Sequence, residues 1–238
     1  MSAVYIVSAP SGSGKSTLVN ELRKIIPSLD FSISYTTRKP RGSEQNGREY
    51  NFVSRARFEA MIEGDEFLEH AEVFGNCYGT AKKYLADARQ ANHDLVLDID
   101  VQGAAQIKNK LPQAVSIFIL PPDRKTLERR LRSRGLDAND VIDRRLFMAS
   151  REIENYDKYD YILVNDRLEE SVDVLKAIVL AERSRRSGVT PSAENSRNLQ
   201  LAERCRLQNI RERVQPILAS FATSGASRFG TQPEPRGG

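Results

Sequence analysis

Residues 8–17 read Ser-Ala-Pro-Ser-Gly-Ser-Gly-Lys-Ser-Thr, directly after the apolar run Ala3-Val4-Tyr5-Ile6-Val7. The pattern is a buried strand feeding a phosphate-binding loop that opens a helix, and few folds accommodate it. Gly12 and Gly14 let the backbone curl so that successive N–H groups point inward as a nest for anionic oxygens. Lys15 adds a cation, Ser16 a hydroxyl suited to Mg²⁺, and the helix start adds its positive end. The usual pattern G-x-x-x-x-G-K-[ST] has glycine where this chain has Ala9. Alanine serves there if residue 9 does not need positive φ. A Gly/Ser-rich turn with a chance lysine is the alternative. It is disfavoured because the strand, the loop and the amphipathic run Leu18-Val19-Leu22-Ile25-Ile26 fall in register.

The 238 residues suit one core domain with an appended piece. No apolar stretch reaches the roughly 20 residues of a membrane span, and no signal-peptide pattern opens the chain, so a cytoplasmic location is expected. Cys77 and Cys205 lie far apart without metal-ligand spacing, as in a reducing compartment. With only His70 and His93, a histidine-based triad or metal centre is disfavoured. The net charge of +4 is uneven: from Arg183 onward ten arginines face four glutamates, a net of +6, which leaves −2 for residues 1–182. The body therefore lacks the footprint of a nucleic-acid binder.

Buried strands are expected at 94–99, 114–120 and 159–164, which read as continuous apolar runs suited to a parallel sheet. Short strands at 31–34, 51–53, 67–73 and 78–80, with a helix over 55–63, describe a compact mixed insertion rather than a βα repeat. An arginine-rich helical region spans 126–156, and a helix over 169–186 closes the domain.

The segments Ser32-Ile33-Ser34-Tyr35-Thr36-Thr37-Arg38-Lys39-Pro40-Arg41-Gly42 and Asn46-Gly47-Arg48-Glu49-Tyr50-Asn51-Phe52-Val53 closely resemble the acceptor-binding region of guanylate kinases. So do Phe67-Leu68-Glu69, Gly75-Asn76-Cys77-Tyr78-Gly79-Thr80 and Leu97-Asp98-Ile99-Asp100-Val101-Gln102-Gly103. The resemblance runs over residues 3–186 in order and spacing. It implies an α/β P-loop nucleoside monophosphate kinase: a parallel sheet flanked by helices (core 3–33, 91–123 and 157–186), a small mixed GMP-binding insertion (34–90) and a helical lid (124–156). Residues 187–238 would form a basic extension, helical over 194–221 and then disordered.

By the same resemblance, ATP would lie on Ala9, Pro10, Ser11, Gly12, Ser13, Gly14, Lys15, Ser16 and Thr17, with Arg130, Arg134 and Asn165. GMP would take Ser34, Arg38, Arg41, Tyr50, Glu69, Tyr78, Thr80 and Asp100. Arg38, Arg41, Tyr50 and Tyr78 would grip its phosphate. Glu69 would accept from guanine N1–H and the exocyclic amine, while Ser34 and Thr80 would read the base edge. Lys15, Arg38, Arg134 and Arg145 would be catalytic, the lid choice among Arg129, Arg130, Arg132, Arg134, Arg144 and Arg145 resting on alignment alone. Mg²⁺ would be held by Ser16 and, through water, Asp98. The implied reaction is ATP + GMP giving ADP + GDP. Two rivals remain: a sugar-phosphate kinase on the same fold, and a non-catalytic guanylate-kinase-like module that binds protein. In the extension, Leu207, Ile210, Val214, Ile217 and Phe221 recur at 3,4-spacing, a seam for the chain's own body or for a second copy in a homo-oligomer. Pro216 should kink or split that helix. Its arginines offer a weaker alternative, contact with polyanions.

Overall fold

Residues 2–73, 75–133, 138–188 and 193–222 are described by the computed structural model. The chain opens with β1 (Val4–Ser8), α1 (Lys15–Ile25) and β2 (Leu29–Phe31). The insertion follows as β3 (Tyr35–Thr36), β4 (Asn51–Phe52), α2 (Arg55–Glu63), β5 (Phe67–Val73), β6 (Asn76–Ala81) and α3 (Lys82–Ala91). Then come β7 (Asp94–Asp98), α4 (Val101–Lys110), β8 (Val115–Leu120), α5 (Arg124–Ser133), α6 (Asn139–Ile153), β9 (Tyr161–Val164) and α7 (Leu168–Ser187). Two further helices, α8 (Ala193–Arg204) and α9 (Leu207–Ala222), form the extension.

The main sheet has the order β2-β7-β1-β8-β9, and every pairing in it is parallel. Alternation along β1 sends Val4 and Ile6 to one face and Tyr5 and Val7 to the other. The first face is covered by α4, α5, α6 and α9, the second by α1, α7 and α8. Because both faces are covered, the strands carry apolar residues without a polar side. The insertion forms a second, mixed sheet of order β4-β3-β6-β5. Its small core is Phe58, Met61, Phe67 and Cys77, with the Phe58 and Phe67 rings stacked at 4.6 Å.

Two expectations need correction. The strand after α1 is Leu29–Phe31, earlier than 31–34, because β2 pairs with β7 from Leu29 onward. The extension is two helices rather than one over 194–221. The break falls at Cys205-Arg206, while Pro216 lies inside α9. The break has a cause: the Ile162 N–H donates to the Cys205 carbonyl at 2.8 Å and the Leu207 N–H to the Asp160 carbonyl at 3.2 Å. This bridge covers the outer edge of β9, which would otherwise expose unpaired backbone groups. Of the two partners open to the apolar seam, the chain's own body is the one observed: Ile210, Val214, Ile217 and Phe221 are buried against Leu127, Leu131, Ile142 and Leu146.

The extension's charge is also engaged. Arg206 pairs with Glu182 of α7 at 3.1 Å, and Glu203 of α8 with Arg185 of α7 at 3.1 Å. The Arg206 guanidinium lies 4.8 Å from the Tyr161 ring centroid. These contacts fasten the extension to the domain.

Candidate active site

The loop between β1 and α1 turns through Gly12 (φ 93°) and Gly14 (φ 89°), both in the left-handed region that favours glycine. A Cβ on Gly14 would collide with the Asn165 side-chain amide, which donates to the Ser13 carbonyl at 2.7 Å. Ala9 does not adopt positive φ, so the substituted glycine is not needed. Among the described residues no side chain caps the start of α1. That end is an anion site by its backbone alone.

Lys15 and Ser16 converge on the end of β7. The Lys15 ammonium lies 2.5 Å from Asp98 Oδ1 and donates to the Ile99 carbonyl at 3.1 Å. Ser16 Oγ donates to Asp98 Oδ2 at 3.1 Å. Burial opposes the charge on Lys15, yet the Asp98 carboxylate outweighs it and raises its pKa. β7 neighbours β1 in the sheet, which brings Asp98 to the loop from far along the chain.

The insertion supplies the opposite wall. Arg38 is 9% exposed, and both terminal nitrogens of its guanidinium lie 2.9 Å from oxygens of Glu44. Glu44 also accepts from the Arg41 N–H at 2.8 Å. The Tyr50 and Tyr78 rings meet edge to face at 5.9 Å, with the Arg38 guanidinium 5.2 Å from Tyr50. Deeper in, Glu69 is 4% exposed and accepts from the Thr80 hydroxyl at 2.7 Å. Burial raises its pKa to about 7, the Thr80 hydroxyl opposing and the Asp100 charge reinforcing the shift. Asp100 caps α4 by accepting from the Gly103 N–H at 2.8 Å. A Cβ on Gly103 would stand 2.5 Å from Glu69 Oε2, so a glycine is needed there for close approach.

A single cleft of about 470 Å³ joins the two walls. Ala9, Pro10, Ser11, Gly12, Gly14, Lys15, Ser16, Thr17 and Asp98 line one end, and Ser34, Arg38, Arg41, Tyr50, Glu69, Tyr78 and Asp100 the other. Arg144 and Arg145 reach it from α6. Thr80 is fully buried behind Glu69. Its hydroxyl orients that carboxyl. Ser13 and Asn165 lie behind the loop. Arg130 is turned to the carbonyls of Asn165 and Asp166, at 3.0 and 3.2 Å. Arg134 lies outside the described residues.

Sequence reasoning missed Glu44, Gly103 and Glu152. Glu44 carries the signal of an acid six residues after Arg38. Gly103 sits inside a helix, where glycine is unfavourable unless something approaches closely. Glu152 lines the cleft from α6, and its side-chain oxygen Oε2 is buried without a hydrogen-bond partner.

A glycine loop between the first strand and helix of a parallel sheet, with a helical arm over the cleft, defines a P-loop kinase. Within that class the chain belongs to the guanylate kinase family, whose family model matches residues 1–182. It is 61% identical to the guanylate kinase of Koribacter versatilis (strain Ellin345) over 235 residues, 98% of each chain. It is 50% identical to that of Escherichia coli (strain K12) over 186 residues, 77% of this chain and 90% of the relative. The crystal structure of guanylate kinase from Anaplasma phagocytophilum matches with a TM-score of 0.63 at 36% identity, covering 76% of this chain and 86% of that one.

Proposed function

We propose that the protein transfers the γ-phosphoryl of Mg-ATP to GMP, giving ADP and GDP, a step of purine nucleotide synthesis and GMP recycling. The carrying observation is the single cleft, with a backbone anion nest at one end and a buried carboxylate beyond an arginine–tyrosine cluster at the other. Two anionic nucleotides fit tail to tail between these ends.

The attacking group is a phosphate oxygen of GMP, already anionic near neutral pH, so no general base is required. Arg38 and Arg41 with the Tyr50 and Tyr78 phenols hold that phosphate, and Glu44 pre-sets Arg38 for it. Glu69 accepts from guanine N1–H and the 2-amino group, with Ser34 and Asp100 beside it. Adenine has an acceptor at N1 and no 2-amino group, and would leave the buried carboxyl unmatched. Paired hydrogen bonds of this kind discriminate by roughly 10⁴-fold. Lys15 and the loop amides hold the ATP phosphates, with Asn165 and Arg130 on the adenine side. Arg145 and Arg134 in the arm over 124–156 bring positive charge to the migrating phosphoryl as it closes and excludes water.

The Ser16 hydroxyl and Asp98 carboxylate are adjacent hard oxygen donors, a set that fits Mg²⁺. No cluster of three His, Cys, Asp or Glu occurs among the described residues, which suits an ion carried largely by phosphates and water. Ser16 and, through water, Asp98 would hold the ion, which would supply neutralisation of phosphate charge.

No helix among the described residues is long and apolar enough to cross a membrane, and Cys77 and Cys205 are buried free thiols. Both support action in the cytoplasm. The test is a coupled assay with Mg-ATP and a panel of GMP, AMP, CMP and sugar phosphates. ADP release is expected with GMP at least 10³-fold more efficiently than with AMP. Folded protein that leaves GMP unconsumed overturns the reading.

A further inference from the structure

Helix α5 is short and polar, and its buried side chains are Leu127 and Leu131. A helix of ten residues takes its stability from what such side chains meet. One partner is the phosphate loop. A Cβ on Gly12 would stand 2.8 Å from Leu131 Cδ2 and 3.0 Å from Leu127 Cδ1, so both leucines pack directly on that loop. The other partner is α9, which places Ile210, Val214, Ile217 and Phe221 in the same cluster and packs against both α5 and α6. The far end of α9 also bonds the start of α5. The Arg124 N–H, one of the donors that a helix start leaves without an internal partner, donates to Ser220 Oγ at 3.1 Å. The near end is rooted in the main sheet, where the Leu207 N–H meets the Asp160 carbonyl and Arg206 bridges to Tyr161 of β9. Helix α9 therefore runs from the edge of β9 to the root of the arm. Helix α6 carries the consequence to the cleft: Ile142 and Leu146 join the cluster with α9, while Arg144 and Arg145 line the cleft.

We propose that α9 is a brace for the phosphoryl-transfer arm, which holds α5 against the phosphate loop at Gly12 and keeps Arg144 and Arg145 of α6 at the cleft. The proposal rests on the phosphoryl-transfer reading above, in which Arg145 meets the migrating phosphoryl. Close-packed side chains transmit a displacement rather than absorb it. Misplacement of a reacting group by about 1 Å can cost on the order of 10²-fold in rate. Helix α9 packs against α5, α6, α8 and β9, whereas Arg38, Tyr50, Glu69 and Tyr78 stand on the insertion. The brace should therefore act on transfer and leave GMP binding alone.

The test compares four full-length variants with the wild-type chain: Ile217→Ala/Phe221→Ala, the conservative Ile217→Val/Phe221→Leu, Ser220→Ala and Leu29→Ala. The last is a control, since it removes a buried side chain on β2, at the opposite edge of the sheet from β9. Ile217→Ala/Phe221→Ala should lower kcat by about 10- to 100-fold, while Kd for GMP, read by calorimetry, stays within about threefold. The conservative pair should keep kcat within about threefold of wild type. Leu29→Ala should lower Tm yet keep kcat in the same range, because it leaves the arm's packing intact. Wild-type kcat in the alanine pair, equal losses in the conservative pair or in Leu29→Ala, or an equal loss of GMP affinity each overturn the proposal. Hydrogen exchange reads the brace without turnover. Amides of α5 and α6 should quicken several-fold in the alanine pair, and those of β5 and β6 should not. Ser220→Ala should quicken the first turn of α5 alone, a result open to reading even where the alanine pair fails to fold. Exchange unchanged in the arm, or quickened equally in β5 and β6, overturns the brace even where the wild-type chain consumes GMP. A quickened arm in a protein that consumes no GMP would instead overturn the functional reading and leave the brace standing.

Discussion

The acceptor side and the lid side of the cleft are built differently. On the acceptor side Arg38, Glu69 and Asp100 are each fixed by a neighbour from a strand, a turn or a helix end. Glu44 holds Arg38, Thr80 holds Glu69, and the Gly103 N–H holds Asp100. On the lid side Arg144 is exposed on α6, and Arg130 is bonded to backbone carbonyls beside Asn165. Groups that choose a substrate gain from being set in place before it arrives. Groups that stabilise a migrating charge are needed only once water has been excluded, so a moving arm can carry them. The price of the preset side is visible at Glu69, a carboxyl buried deeply enough to lift its pKa to about 7.

Substitutions can break this division, and the largest effect is expected where both sides meet. Lys15→Met should fold normally and lose kcat by 10³-fold or more, because the cation beside the phosphates goes and Asp98 loses its partner. Steady-state assay with circular dichroism checks it, and turnover near wild type would remove Lys15 from the reaction. Next, Glu69→Ala should raise KM for GMP by about 10²-fold or more, while ATP affinity stays within about threefold. Calorimetric titration of each nucleotide separates the two. Equal losses would mean that the acceptor side is not an independent unit. Gly103→Ala should act in the same direction but more weakly, about tenfold on KM for GMP. Its Cβ would displace Glu69 Oε2, now 2.5 Å away, without removing the carboxyl.

The two sides also differed in how far their sequence disclosed them. The phosphate loop was legible because its chemistry is local: glycine spacing, Lys15 and Ser16 need no distant partner to be read. Arg38, Glu69 and Tyr78 could be proposed by resemblance, but what holds them in place was hidden. The Thr80 hydroxyl, for one, is what holds Glu69. Helices α3 and α4 escaped notice. Lys82–Ala91 is largely polar, and α4 starts from an Asp100 cap and carries Gly103, which weakens the helical pattern. Glu152 was illegible because its place in the cleft is set only by how α6 packs on the core. In the extension, the apolar seam was evident from spacing and its partner was not. The helix break was misjudged because it answers to the edge of β9 rather than to Pro216.

The smallest expected effect tests the claim that the acceptor side holds its carboxyl at an energetic cost. Glu69 titrates near 4.5 in an unfolded chain and at about 7 in the folded one. The folded state therefore binds this proton more tightly, and the associated stabilisation is complete below about pH 4.5 and lost as pH rises towards 7. Glu152 contributes in the same direction. Glu69→Gln removes the titration while keeping the shape and an acceptor for Thr80. The gain in Tm of Glu69→Gln over wild type should thus be a few degrees greater at pH 8 than at pH 5. GMP should reverse the order at pH 8, because guanine N–H donors favour the charged carboxylate that the glutamine lacks. A Tm difference that does not change with pH would mean that the carboxyl is ionised at no cost. The contrast between a preset acceptor wall and an assembled lid would then rest on geometry alone.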